Sequence, residues 1–261
     1  MVAERYGDVS VALSGNVAQV EIHRPPHNFF DVDLIRSLAD AFEALDREGA
    51  CRASVLAAEG KSFCAGANFH NRADAENERQ GRAGNPLYSE AVRLFACKKP
   101  IIAAIQGAAI GGGFGLALVP DFRVVTADAR FSANFVKLGI HPGFGLTHTL
   151  PRLVGPQKAA LMFYTGRRIS GEEALAWGLA DLLVEPDRLR PAATELADEI
   201  AESAPLAILS TRATMRQGLA EAVKAQTDHE FIEQARLFRT EDHREGVKAV
   251  AERRPGKFVG R

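Results

Sequence analysis

The chain reads as an α/β protein, and three observations predict it. An alternating strand pair opens the sequence; three short all-apolar runs follow, spaced by helical or turn-rich segments; and no strand pattern continues beyond Val184. Together they divide the chain into a strand-and-helix core, residues 1–185, and a helical C-terminal region, residues 186–261. No tandem repeat or flexible interdomain linker separates the two.

The strand pair is Val9-Ser-Val-Ala-Leu13 and Val17-Ala-Gln-Val-Glu-Ile22, joined at Ser14-Gly-Asn16, whose glycine and asparagine suit the positive φ of a hairpin turn. After the turn-rich His23-Arg-Pro-Pro-His-Asn28, Leu34, Ile35, Leu38, Ala41, Phe42 and Leu45 recur at helical spacing behind an Asp31 cap. Ala53–Ala57, Pro100–Ile105 and Phe122–Ala127 are the apolar runs, short enough to be strands covered on both faces. Residues Asn68 to Leu87 lack periodicity and read as a loop or lid beside a site. From Gln157 helices dominate, and Ser170-Gly-Glu-Glu173 is a capping box opening a short helix that ends near Gly178.

The totals narrow the function. A chain of 261 residues that is 46% hydrophobic can bury a sizeable core. With 32 basic and 33 acidic residues the net charge is −1, so no bulk field draws it to nucleic acid or anionic lipid. Ile101–Pro120 runs twenty residues without a formal charge, but its five glycines and Gln106 fit a buried strand feeding a buried helix, and no membrane partner is expected. Cys51, Cys64 and Cys97 have neither metal-ligand nor redox spacing, and the N-terminal residues lack a signal-like apolar stretch. A cytoplasmic protein without a metal is the expectation.

Two glycine-bearing turns carry the chemistry. Ser62-Phe-Cys-Ala-Gly-Ala-Asn68 follows one apolar strand and Gly107-Ala-Ala-Ile-Gly-Gly-Gly-Phe-Gly115 follows another. Small residues let backbone N–H groups approach a ligand, and two convergent N–H groups can stabilise the oxyanion of a thioester carbonyl, although each turn alone also fits tight packing. Gly111-Gly-Gly-Phe-Gly115 also resembles part of a dinucleotide fingerprint, but the glycine spacing and the missing acidic ribose partner argue against it.

The ordered series Phe63-Cys-Ala-Gly-Ala67, Lys99-Pro-Ile-Ile-Ala-Ala-Ile-Gln-Gly107, Gly111-Gly-Gly113, Asp121, Gly166-Arg-Arg-Ile-Ser170 and Ala174-x-x-x-Gly178-Leu179, with the tail Glu245–Arg254 and Phe258, resembles the enoyl-CoA hydratase/isomerase family, the crotonases. The resemblance covers nearly the whole chain. It implies a crotonase-like α/β spiral of strand-strand-helix units with a C-terminal helical trimerisation region, a homotrimer or dimer of trimers, and an acyl-CoA thioester as ligand. Coenzyme A would then arrive as part of the substrate, with no permanently bound cofactor, in the lyase or isomerase chemistry of fatty-acid metabolism.

By motif position the resemblance makes the backbone N–H groups of Ala67 and Gly112 the oxyanion donors, flanked by Ala65 and Gly111, with Gly112 at a helix N-terminus. Hydratases of the family carry a glutamate two residues after the glycine triplet, where this chain has Gly115, and a second one where it has Phe135. Adding water across a double bond needs a base for the water and an acid for Cα, so an atypical reaction or a catalytically silent acyl-CoA binder follows. His141 is the one titratable side chain in the following turn and the candidate acid/base. Asn134, Phe135 and Phe144 are expected to shape the acyl end, the two phenylalanines serving equally as packing residues. Asn68, where the family has aspartate, and His70 fall in the loop. Lys257, with Arg254, is placed to pair with coenzyme A phosphates or to form a solvated face.

Overall fold

A computed structural model describes residues 2–67 and 85–261. Strands β1 (Arg5–Tyr6), β2 (Val9–Ser14) and β3 (Val17–Ile22) form an antiparallel start, with Gly15 at φ +57° in the turn between β2 and β3. Strands β4 (Ala53–Ala58), β5 (Ile101–Ile105), β7 (Phe122–Val125) and β10 (Leu182–Leu183) continue the sheet in parallel, giving seven strands in the order β1-β2-β3-β4-β5-β7-β10. A second sheet of three strands, in the order β6-β8-β9, is built from β6 (Ala108–Ile110), β8 (Arg130–Ser132) and β9 (Arg168–Ser170).

The apolar runs are strands because both their faces are covered. Val55, Ala57, Ile102, Ala104 and Val124 pack against Leu189, Ala193 and Ala197 of helix Leu189–Glu202. Leu56, Ile101, Ala103, Ile105 and Val125 turn the other way, into the main core with helix Val32–Arg47. That helix opens as expected: the Asp31 carboxylate accepts from Leu34 N–H at 2.8 Å, and all six apolar positions of the stripe are buried. Full burial of each large aliphatic or aromatic side chain is worth about 1.5–3 kcal/mol, so this stripe rather than propensity holds the helix.

The capping box at Ser170 and Glu173 is present, and its helix, Gly171–Ala176, ends before Gly178 at φ +75°. The stretch from Ile101 to Pro120 folds as strand, strand and short helix, and among the described residues no helix is long and apolar enough to cross a membrane. The C-terminal region carries helices Leu189–Glu202, Pro205–Met215, Leu219–Leu237 and Glu241–Ala251.

Two boundaries differ from expectation. Helix Pro86–Ala96 begins inside the segment read as loop, because Asn85 accepts from Leu87 N–H at 2.9 Å and Pro86 suits a first helical turn. The third apolar run stops pairing at Val125, and Thr126 instead donates its hydroxyl to Gln106 O at 3.1 Å.

Candidate functional site

The site grows from two backbone segments laid side by side. Residues 58–62 are pinned by amides: Asn28 donates to Glu59 O at 2.8 Å and Ser62 O at 2.7 Å, and Gln106 donates to Ala58 O, Gly60 O and Ser62 O at 2.8, 3.0 and 3.1 Å. Asn28 is fully buried, so those carbonyls have side-chain donors in place of water. Beyond this brace, Cys64 N–H bonds Ala108 O, Ile110 N–H bonds Cys64 O, Ala65 N–H bonds His27 O and Phe30 N–H bonds Gly66 O. The 64–67 segment therefore lies between Phe30 and β6.

At the end of β6 the chain turns through Gly111 (φ +57°), whose N–H bonds Ser132 O at 2.8 Å, into helix Gly112–Ala117. The Gly112 and Ala67 N–H groups donate to no other group among the described residues. They are neighbours: a Cβ built on Gly66 would sit 3.8 Å from Gly112 N. The glycines are required by contact. Any side chain at Gly112 would strike the Phe30 ring, one at Gly113 the Cys64 carbonyl, and one at Gly115 would put its Cβ 2.6 Å from Phe144 Cβ.

These segments open on a cavity of about 390 Å³. Ala65, Ala67, Gly111 and Gly112 line one part of it, and Asn134, Phe135 and Phe144 line it as well. Phe30, absent from the sequence expectation, completes an aromatic wall with its ring 5.6 Å from that of Phe144. Among the described lining residues none is a carboxylate and Arg253 alone carries a formal charge. Gly115 is buried beneath Phe144, whose ring fills the space a longer side chain there would need.

His141 does not line the cavity. The chain at Pro142 turns its imidazole so that Nδ1 lies 2.8 Å from Pro142 O and the ring stands edge-on to His229, with centroids 5.9 Å apart. Lys257 is exposed and outside the lining, with its backbone N–H on Glu245 at 2.8 Å; Arg254 pairs with Glu245 and Glu252. Asn68 and His70 fall outside the described residues, as do all of residues 68 to 84.

Three polar side chains near the wall escape sequence reading. Tyr88 and Gln234 line the cavity, the Tyr88 hydroxyl donating to Gln234 Oε1 at 2.7 Å and Gln234 Nε2 to His141 O at 2.9 Å. Glu230, one turn earlier on helix Leu219–Leu237, accepts from Gly145 N–H at 2.8 Å, Thr147 N–H at 3.2 Å and the Thr147 hydroxyl at 2.5 Å. Burial pushes the Glu230 carboxyl up to about 7, and those three donors offset only part of the effect. Polar residues on a long helix normally face water, which is why pattern reading sends Glu230 and Gln234 to the surface.

Fold and cavity together define an α/β protein with an apolar, aromatic-walled cavity lined at one end by Ala65, Ala67, Gly111 and Gly112. The enoyl-CoA hydratase/isomerase family model matches residues 12–261. The chain is 33% identical to a crotonyl-CoA hydratase of Syntrophomonas wolfei, covering 98% of this chain and 99% of that protein. It is 34% identical to a carnitinyl-CoA dehydratase of Proteus mirabilis over 95% of this chain and 96% of the relative. A solved enoyl-CoA hydratase/isomerase from Pseudoalteromonas atlantica T6c superposes with a TM-score of 0.86 at 29% identity, covering 97% of this chain and 100% of that one. The chain belongs to the enoyl-CoA hydratase/isomerase family and has the crotonase fold.

Proposed function

We propose that the chain binds an acyl-CoA thioester with its carbonyl oxygen between the N–H groups of Ala67 and Gly112, and catalyses a reaction through the enolate that does not use the two-glutamate hydration scheme. One observation supports this reading: two backbone N–H groups without a partner among the described residues lie close together at an aromatic-walled cavity whose described lining holds no carboxylate. Negative charge that develops on the thioester oxygen meets fixed dipoles in a water-poor site, where each such donor is worth about 2.7–4 kcal/mol of barrier. Hydration needs a base for water and an acid at Cα, and Gly115 and Phe135 offer neither. Decarboxylation of a β-carboxylate gives the enolate by loss of CO2, after which Cα takes a proton from water, so it needs no base for an attacking water; hydrolysis of the thioester would use the same two donors for a tetrahedral oxyanion rather than an enolate.

Coenzyme A enters as part of the substrate, and no permanent cofactor is invoked. The C-terminal helices serve assembly into a homotrimer or dimer of trimers, a reading supported by the exposed Leu206, Met215 and Ile232 on them. Three free, buried cysteines fit a reducing cytoplasm.

The test is turnover by mass spectrometry of enoyl-, 3-hydroxyacyl-, malonyl-type and aromatic acyl-CoA thioesters, with binding measured in parallel. Acyl-CoA binding above that of free coenzyme A, with product from a subset, is expected; a protein that binds none of them refutes the reading. Because His141 stands off the cavity, His141→Ala is expected to keep binding and turnover. The second reading, a catalytically silent acyl-CoA binder, is favoured by the carboxylate-free lining, and tight binding of every thioester with no product would establish it.

A further inference from the structure

Phe144 holds a conformation that a bulky residue adopts only when its surroundings impose it. Its φ is +62°, in the left-handed region, between Gly143 and Gly145, itself at φ +72°. What imposes it comes from one face of helix Leu219–Leu237. Glu230 and Gln234 are four residues apart and so lie one above the other. Glu230 takes both the Gly145 and Thr147 N–H groups and the Thr147 hydroxyl, and Gln234 holds the carbonyl of His141 while accepting from Tyr88. Gly143 is closed in between: a Cβ there would meet Gln234 Nε2 at 2.6 Å and the Tyr88 hydroxyl closer still. The segment 141–147 is thus gripped on both sides of Phe144, and Phe144 is pressed onto Phe30 and Gly115.

We propose that Glu230 and Gln234 are positioning residues that keep Phe144 in the cavity wall and thereby set the size of acyl group the cavity takes; the selectivity half of this rests on the thioester reading above. A buried carboxylate is a poor choice for stability alone, because an apolar side chain of similar size avoids its desolvation. It does provide two directional acceptor oxygens, which a left-handed turn with three inward donors needs and an apolar residue lacks. The groups facing the carboxylate are those three donors, none of them charged, and burial raises the carboxyl as a consequence. Released from the grip, Phe144 relaxes toward an ordinary φ and its ring leaves the wall, deepening the acyl end next to Gly115.

The test has a ligand-free arm and a ligand arm. Amide hydrogen exchange across residues 141–147 is measured for the wild type, Glu230→Gln, Thr147→Val and Thr147→Ser. Loss of a buried bond to a carboxylate is expected to speed exchange of Gly145 and Thr147 by about 10-fold or more in Glu230→Gln and Thr147→Val, while Thr147→Ser, which keeps the hydroxyl, stays close to wild type. Affinities for short and long acyl-CoA thioesters are then compared. Glu230→Gln and Phe144→Ala are each expected to shift the long-to-short preference by about 10-fold in the same direction, and Glu230→Gln is expected to add nothing in the Phe144→Ala background. Unchanged exchange in Glu230→Gln and Thr147→Val overturns the proposal, as does a selectivity shift that adds fully to that of Phe144→Ala. If the wild type binds no acyl-CoA, the thioester reading fails by itself, and the exchange arm still decides whether the grip exists.

Discussion

Gly115 and Phe144 occupy one space between them, and a double-mutant cycle measures how much that matters. Gly115 lies in helix Gly112–Ala117, where alanine is ordinarily better than glycine by about 1 kcal/mol. Here the three atoms nearest to an added Cβ are Phe144 Cβ, Cδ1 and Cγ at 2.6, 2.8 and 2.9 Å. The closest is bonded directly to the backbone, so no rotamer change relieves it, and overpacking of this kind costs about 1–3 kcal/mol. Gly115→Ala should therefore destabilise the protein by up to about 2 kcal/mol net. Alanine at 144 would retain the offending Cβ, so the informative partner is Phe144→Gly, which removes all three atoms and suits φ +62°. In that background Gly115→Ala should become neutral or stabilising by up to about 1 kcal/mol, a coupling of about 1–3 kcal/mol. Urea denaturation at fixed protomer concentration reads each corner of the cycle. Additivity within about 0.5 kcal/mol would refute the shared-space account. A confirmed coupling also means that Gly115→Glu cannot by itself restore a hydratase-like carboxylate, since its side chain has nowhere to go while Phe144 stays.

Three other outcomes are expected. The Glu230 carboxyl, raised by burial to about 7 from 4.5, is protonated more readily in the folded than in the unfolded chain, so its contribution is complete below about pH 4.5 and is lost as pH rises through 7. Stability should fall by about 3 kcal/mol across that window, and a Glu230→Gln variant whose pH profile matches the wild type would contradict the assignment. Asp121 is shared by Arg212 and Arg216, each at 3.0 Å, and also accepts from Ile101 N–H at 2.9 Å. Asp121→Asn leaves a buried and a half-buried guanidinium group without their common counter-charge, a loss of about 3–5 kcal/mol, and calorimetry should show Tm lowered by on the order of 10 °C; an unchanged Tm would dismiss the cluster as a stabilising element. Burial pushes the Cys64 and Cys97 thiols up to about 12 and raises Cys51 as well, so a thiol-specific reagent should be silent on native protein and titrate three groups after unfolding.

What was readable in the sequence follows a physical division. Both-face burial leaves a trace in every residue of a strand, so Ala53–Ala58 and Ile101–Ile105 stand out, whereas β6, β8 and β9 are three residues each and too short for any period to register. The two glycine-bearing turns that line the cavity at Ala67 and Gly112 were readable for a related reason: close approach of one backbone segment to another demands small residues, and small residues show in a sequence. Side-chain direction leaves no such mark. His141 has the right chemistry at a plausible position, yet its own Pro142 carbonyl and His229 take its ring off the cavity. Glu230 and Gln234 carry the opposite signal, since polar residues on a 19-residue helix predict water and here face the 141–147 segment.

Positions 115 and 135 show where the two kinds of information must be joined. Gly115 and Phe135 read as two separate losses along the chain, and nothing in the sequence ties either to Phe144. In the fold, Gly115 and Phe144 are one change: glycine at 115 is what makes room for the Phe144 ring, Phe144 keeps its left-handed turn within the grip of Glu230 and Gln234, and Phe135 extends the same apolar lining. The space beside Gly115 is filled by an aromatic wall at a cost in backbone strain and in a buried carboxylate, and costs of that size, about 1–3 kcal/mol each, persist where the filled shape itself is used.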